Sequence, residues 1–175
     1  METEVFVRAM GEFHRLVDLR LTKLDSWTRG HFAEALVVSL LDGAAVSEHG
    51  VAPCDVMWGS ISIAVRATGS RSTDHLGVEG KAPFGGSWRF PAKSAWDPRT
   101  ADWDPAPPRR CWADVAILAF HDGFDIAEGW CFYVLSQDQI ESFPSVTLTP
   151  RSLERSGVIG VSPDQLASEV LRVAG

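Results

Sequence analysis

Residues 54–68 read CDVMWGSISIAVRAT, and this stretch decides the fold. Ile61, Ile63 and Val65 alternate with Ser62, Ala64 and Arg66, the period of two that a strand needs to present different residues to its two faces. Cys54 to Trp58 predicts a strand before it, and Gly59-Ser60 supplies a tight turn, so the two read as a hairpin. Downstream, CWADVAILAF (Cys111 to Phe120) and WCFYVL (Trp130 to Leu135) are apolar enough for buried strands, with His121-Asp122-Gly123 as a turn between them. Val146 and Leu148 alternate in a last strand expected over Ser145 to Thr149.

Upstream the period changes to that of a helix. Val5, Ala9, Phe13, Leu16, Val17, Leu21 and Leu24 predict an amphipathic helix over Glu4 to Leu24. A second helix is expected from Thr28 to Leu41, with Phe32, Ala35, Leu36, Ser39 and Leu40 facing inward and Gly43 stopping it. Ala44 to Val46 reads as a short strand. Ser136 caps a helical turn through Ile140, and Ser162-Pro163 starts a terminal helix whose inner face is Leu166, Val170 and Val173. The order predicts an α/β fold, a mixed central β-sheet of about five to six strands flanked by helices.

At 175 residues the chain is expected to be a single domain, 1–175. Residues 1–27 would be an N-terminal helical extension, 28–141 the core, and 142–175 a C-terminal strand and helix. Within the core, residues 68–110 form a long Trp-rich loop full of Gly, Pro and Ser, with Ser87 to Phe90 as its one strand-like stretch. No apolar run is long enough to span a bilayer, so no membrane contact is expected. The charged N-terminus lacks a signal-peptide core, so a cytoplasmic setting is the expectation. Cys54, Cys111 and Cys131 form no C-x-x-C pair and read as buried thiols.

The formal charge is −7, which disfavours non-specific binding to nucleic acid. The charge is uneven, however. Residues 61–110 hold eight basic and five acidic residues, while both flanks are acidic. The chain carries seven Trp and one Tyr. Trp58, Trp112 and Trp130 fall on expected strands, and Trp88, Trp96 and Trp103 fall in the basic loop. There they interleave with Lys81, Arg89 and Lys93. Aromatic rings among cations are what single-stranded nucleic acid uses, through stacking and phosphate contacts. Arg71, in Gly69-Ser70-Arg71-Ser72, is a further candidate phosphate contact. The same Trp residues also suit a protein interface, so nucleic acid along residues 66–110 and a protein partner or homodimer both stand as expectations. The five His form no metal-binding spacing and read as surface or turn residues.

Several of these segments together resemble the PD-(D/E)XK nuclease superfamily, in particular its small restriction-endonuclease-like and resolvase-like members. Such proteins have a helix with a Glu, a strand with an Asp, and a hairpin strand with an acidic-x-Lys triplet. Here GHFAEALVVSLLDG places Glu34 in the Glu position, PCDVMW places Asp55 in the Asp position, and ISIAVRAT follows as the triplet strand. ADVAILAFHDG and WCFYVLSQDQI are similar to the later strands, so the pattern covers residues 28–141. The resemblance implies a restriction-endonuclease-like fold and Mg- or Mn-dependent phosphodiester hydrolysis, with Glu34 and Asp55 as metal ligands and Arg66 as a catalytic electrostatic stabiliser.

The triplet itself departs from the pattern. It reads Ala64-Val65-Arg66, so Ala64 offers only a backbone carbonyl and Arg66 cannot act as a base. Glu34, Asp55 and a carbonyl could hold a metal weakly, and Glu79 and Asp74 are nearby candidates to replace the missing carboxylate. The resemblance therefore implies a degenerate site, a pseudoenzyme or a weakly active nuclease. On the residues alone, Asp55 capping a turn, Glu34 on a solvated helix face, and Arg66 paired with either carboxylate are equally open.

Overall fold

A computed structural model describes residues 7–11, 26–47, 54–73, 79–81, 86–93, 96–97, 102–103, 107–122 and 129–175; the side chains of residues 26–28, 71–73, 79–81, 96–97 and 102–103 are outside that description. Helix α1 (Ser26–Leu40) leads into strand β1 (Ala45–Val46), then β2 (Val56–Trp58) and β3 (Ile61–Gly69). Six further strands follow: β4 (Arg71–Thr73), β5 (Glu79–Lys81), β6 (Trp88–Arg89), β7 (Trp96–Asp97), β8 (Asp102–Trp103) and β9 (Val115–His121). Strand β10 (Trp130–Ser136), helix α2 (Gln137–Ser142), strand β11 (Thr147–Leu148), helix α3 (Pro150–Arg155) and helix α4 (Leu166–Ala174) complete the chain.

The fold is α/β with a mixed five-stranded sheet in the order β1-β2-β3-β9-β10. The first three strands are antiparallel neighbours, β3 runs parallel to β9 from Ile63↔Val115 to Gly69↔His121, and β10 returns antiparallel to β9. Alternation along β3 and β9 divides the core. Ile63, Val65, Val115, Ile117 and Ala119 pack with Phe32 and Leu36 of α1 and with Leu166 and Val170 of α4. Ala64, Ala116 and Leu118 face the other way, toward Trp88, Phe90, Ile140, Leu148 and Leu153.

Helix α1 is less one-sided than its expected face. Ala33, Val37 and Val38 are buried along with the expected Phe32, Ala35, Leu36 and Ser39. Residues 7–11 are helical, and Ala9 joins the same cluster. The rest of the helix expected over Glu4 to Leu24 lies outside the described residues. Gly43 adopts φ +78°, the left-handed conformation that ends a helix and that only glycine takes at no steric cost.

The strand expected from Cys111 begins later, at Val115. Asp114 is the reason: its carboxylate takes the Ser62 N–H at 2.9 Å and the Ser62 hydroxyl at 2.6 Å, which pins β9 to β3 at that point. Those bonds hold the Asp114 carboxyl below its ordinary pKa. Ser136 caps α2 as expected, in a reciprocal box with Gln139. Helix α3, unforeseen, is capped the same way by Thr149 and Ser152 with Pro150 in its first turn. Strands β4, β5, β7 and β8 give the long loop more pairing than its composition suggests. All three cysteines are free thiols, and Cys131 is only partly buried.

Candidate functional site

Strand β2 pairs with β3 from Val56↔Ile63 to Trp58↔Ile61, and among the described residues no strand pairs with the rest of that β3 edge. Within a strand, the N–H and C=O of one residue point the same way and successive residues alternate. The Asp55 N–H donates to the Ile63 carbonyl at 2.9 Å, which turns Ile63 and Val65 toward β2 and Ala64 and Arg66 toward β9. The Val65 N–H finds a side-chain acceptor rather than a backbone one. The Asp55 carboxylate takes that role, and its Oδ2 accepts the Val65 N–H at 2.7 Å.

Arg66 completes the arrangement. Its Nη1 donates to Asp55 Oδ2 at 2.9 Å and to the Val65 carbonyl at 2.8 Å. The guanidinium therefore lies between a carboxylate and a carbonyl. Of the pairings open from sequence, this one places Arg66 on Asp55. Asp55 does not cap a turn for its own sake; it extends the sheet edge.

Glu34 projects from α1 into the same neighbourhood. Burial and the nearby Asp55 charge raise its carboxyl above the ordinary carboxylate range, while His31 and Arg66 pull it back down. Both site charges thus reach Glu34, although no direct bond joins them. Glu34 is not on a solvated face: its side chain is 18 % exposed, against 29 % for Asp55 and 40 % for Arg66. The three form a graded opening, with the cation outermost. His31 Nδ1 lies 3.3 Å from Glu34 Oε2, a contact that the i,i+3 spacing on α1 signals.

A basic ribbon lies beside this opening. Strand β6 is tied to it through Trp88, whose Nε1 donates to the Arg66 carbonyl at 3.1 Å. The chain continues to Lys93, which exchanges two backbone bonds with Arg109, at 2.8 and 3.0 Å. The Trp112 indole N–H donates to the Lys93 carbonyl at 2.7 Å, and the Arg109 guanidinium lies 5.7 Å from the Trp112 ring centre. Arg89, Lys93 and Arg109 are exposed, and among the described residues none has a carboxylate partner. Cys111, two residues after Arg109, feels the charges of both Arg66 and Asp55. Arg110 differs: it turns inward and donates to the carbonyls of Phe90, Phe143 and Ser145.

Several expected roles change here. Trp88 is 3 % exposed and packs edge-on against Phe120 and Tyr133, so it belongs to the core rather than to a contact surface. Trp112 is half-buried on the ribbon and not on a strand. Trp58 and Trp130 pack into the core as expected. His121 is fully buried against Trp130, with ring centres 4.8 Å apart, and is no turn residue. Arg71 and Lys81 are cross-strand partners on β4 and β5, and Trp96 and Trp103 on β7 and β8. The side chains of these four, and those of Asp74 and Glu79, lie outside the described residues.

The donor set was tested against the Mg or Mn ion that the sequence resemblance implies. Among the described residues no group of three or more His, Cys, Asp or Glu side chains could hold a metal ion. Ala64 does not compensate, because alternation turns its carbonyl toward β9. The carbonyl on the Asp55 side is that of Val65, and Arg66 already occupies it. The described residues do not fit a divalent ion. Among the described residues no helix is long and apolar enough to cross a membrane. No family model, curated protein or solved structure matches this chain.

Proposed function

We propose that this chain is a nucleic-acid-binding domain of restriction-endonuclease-like fold whose phosphodiesterase site is degenerate. The observation that carries the reading is the Asp55–Arg66 pair beside β3, with Glu34 of α1 within its electrostatic reach, in the helix–strand–hairpin order that the PD-(D/E)XK resemblance implies. The mixed sheet is compatible with it. The altered triplet argues for binding over cleavage: Ala64 brings no carboxylate, and Arg66 is a fixed cation with no basic lone pair.

Chemically, an exposed guanidinium edge binds a phosphate oxygen through charge-assisted hydrogen bonds. Arg89, Lys93 and Arg109 supply further positive charge beside it, and the Trp112 ring adds an aromatic surface. This local field offsets the −7 charge of the whole chain. Fluorescence anisotropy with labelled single- and double-stranded oligonucleotides at low salt tests the reading. The expected dissociation constant is about 1–100 μM, falling into the non-specific range. Lys93→Glu with Arg109→Glu should weaken binding at least tenfold. No measurable affinity in the wild type, or equal affinity in the charge-reversed protein, would rule the reading out.

A further inference from the structure

We infer that Arg66 is the resident cation of this site: its guanidinium fills the place between Asp55 Oδ2 and the Val65 carbonyl that a divalent ion would need, and removing it opens an oxygen set that takes one. The inference stands on side-chain geometry and holds whether or not the chain binds nucleic acid.

The distances carry the argument. Nη1 lies 2.9 Å from the carboxylate oxygen and 2.8 Å from the carbonyl, ordinary charge-assisted hydrogen bonds. A hard divalent ion asks for oxygen ligands at roughly 2.0–2.1 Å in octahedral array. It cannot share those two oxygens with a nitrogen already inside their hydrogen-bonding range. All described side-chain bonds of Asp55 fall on Oδ2, and Glu34 lies within electrostatic reach behind it. Truncating Arg66 would therefore free the Asp55 carboxylate and the Val65 carbonyl of the guanidinium, with Glu34 within electrostatic reach. That is a set suited to Mg²⁺ or Mn²⁺.

Charge gives the same result. Two neighbouring carboxylates repel and need a cation between them. Arg66 provides one that is covalently tethered, always protonated and insensitive to chelators. The wild-type site thus carries its own cation without any ion from solution. The Arg66 side chain is 40 % exposed, so a phosphate oxygen can reach its guanidinium.

Titration calorimetry with MnCl₂ tests this on the full chain at neutral pH. The wild type should show no stoichiometric binding up to millimolar Mn²⁺. Arg66→Ala should bind one ion per chain, and Arg66→Ala with Asp55→Asn should lose it. Near-UV circular dichroism confirms that each variant is folded, and Arg66→Thr, which keeps a strand-forming residue, replaces the alanine variant if that one unfolds. Either of two results overturns the inference: a wild-type protein that binds one Mn²⁺ through Asp55, or folded Arg66 variants that bind none. The wild-type titration is decisive even if neither variant folds.

Discussion

The carboxylate of Asp55 accepts the backbone N–H of Val65 at 2.7 Å, so a side chain continues the sheet where β2 has ended. The bond fixes the carboxylate at the strand edge and brings Arg66 onto the same oxygen. Site and scaffold are therefore one structure here, and a substitution at Asp55 acts on both.

Asp55→Ala leaves the buried Val65 N–H without its acceptor and Arg66 without its counter-ion. Loss of a charged acceptor from a buried donor costs about 1–3 kcal/mol. Asp55→Asn keeps a carbonyl oxygen for both donors and should cost less than half as much. Urea unfolding of the two variants reads the difference. Equal stabilities would mean that the Val65 bond contributes nothing.

Glu34 holds its proton more tightly in the native chain than in the unfolded one, because burial and Asp55 raise its pKa. Ionising it therefore costs native stability as the pH climbs through the carboxylate range. Glu34→Gln removes that cost. Its melting temperature should exceed the wild-type value at pH 7, and the advantage should disappear as the pH falls below the ordinary carboxylate pKa. A pH-independent difference would show that packing, not charge, sets the effect.

Gly69 pairs with His121, and a Cβ built at Gly69 would lie 2.5 Å from the His121 carbonyl oxygen and 3.0 Å from Arg29 Nε. The nearest atom is backbone inside the sheet and cannot yield by rotation. Gly69→Ala should destabilise the chain by about 1–3 kcal/mol, as overpacking does in ordered cores. Thermal unfolding checks this, and an unchanged midpoint would refute it.

Arg110 gathers three carbonyls, from Phe90, Phe143 and Ser145, with one planar group. Lysine offers a single point charge and cannot reproduce that fork. Arg110→Lys should therefore recover little of the stability lost in Arg110→Ala, about 1–3 kcal/mol in chemical denaturation. Full recovery would mean that charge alone matters.

The strands were legible where the pattern was local. Ile61 to Val65 alternate because one face meets α1 and the other meets Ala116, Trp88 and their neighbours. Glu34, Asp55 and Arg66 were legible as candidates through the resemblance, but not their geometry. Which carbonyl faces Asp55 depends on the direction of the β3 edge, set by the Asp55 to Ile63 bond, and no residue spacing encodes it. Trp88 was misjudged because its Gly- and Pro-rich context hides the Tyr133 and Phe120 rings that enclose it. The meeting of Arg109 and Trp112 with Lys93 was not legible, because it joins distant segments. The start of β9 at Val115 was likewise set by Ser62, which lies far away in sequence.

The most direct test of the account is the affinity of a labelled oligonucleotide for the wild type and Arg66→Ala, each in EDTA and in Mn²⁺. The wild type should bind equally in both buffers. Arg66→Ala should bind more weakly in EDTA and regain affinity when Mn²⁺ fills the gap. Wild-type binding that appears only with Mn²⁺ and is unchanged by Arg66→Ala would contradict the claim that Arg66 supplies the cation of this site.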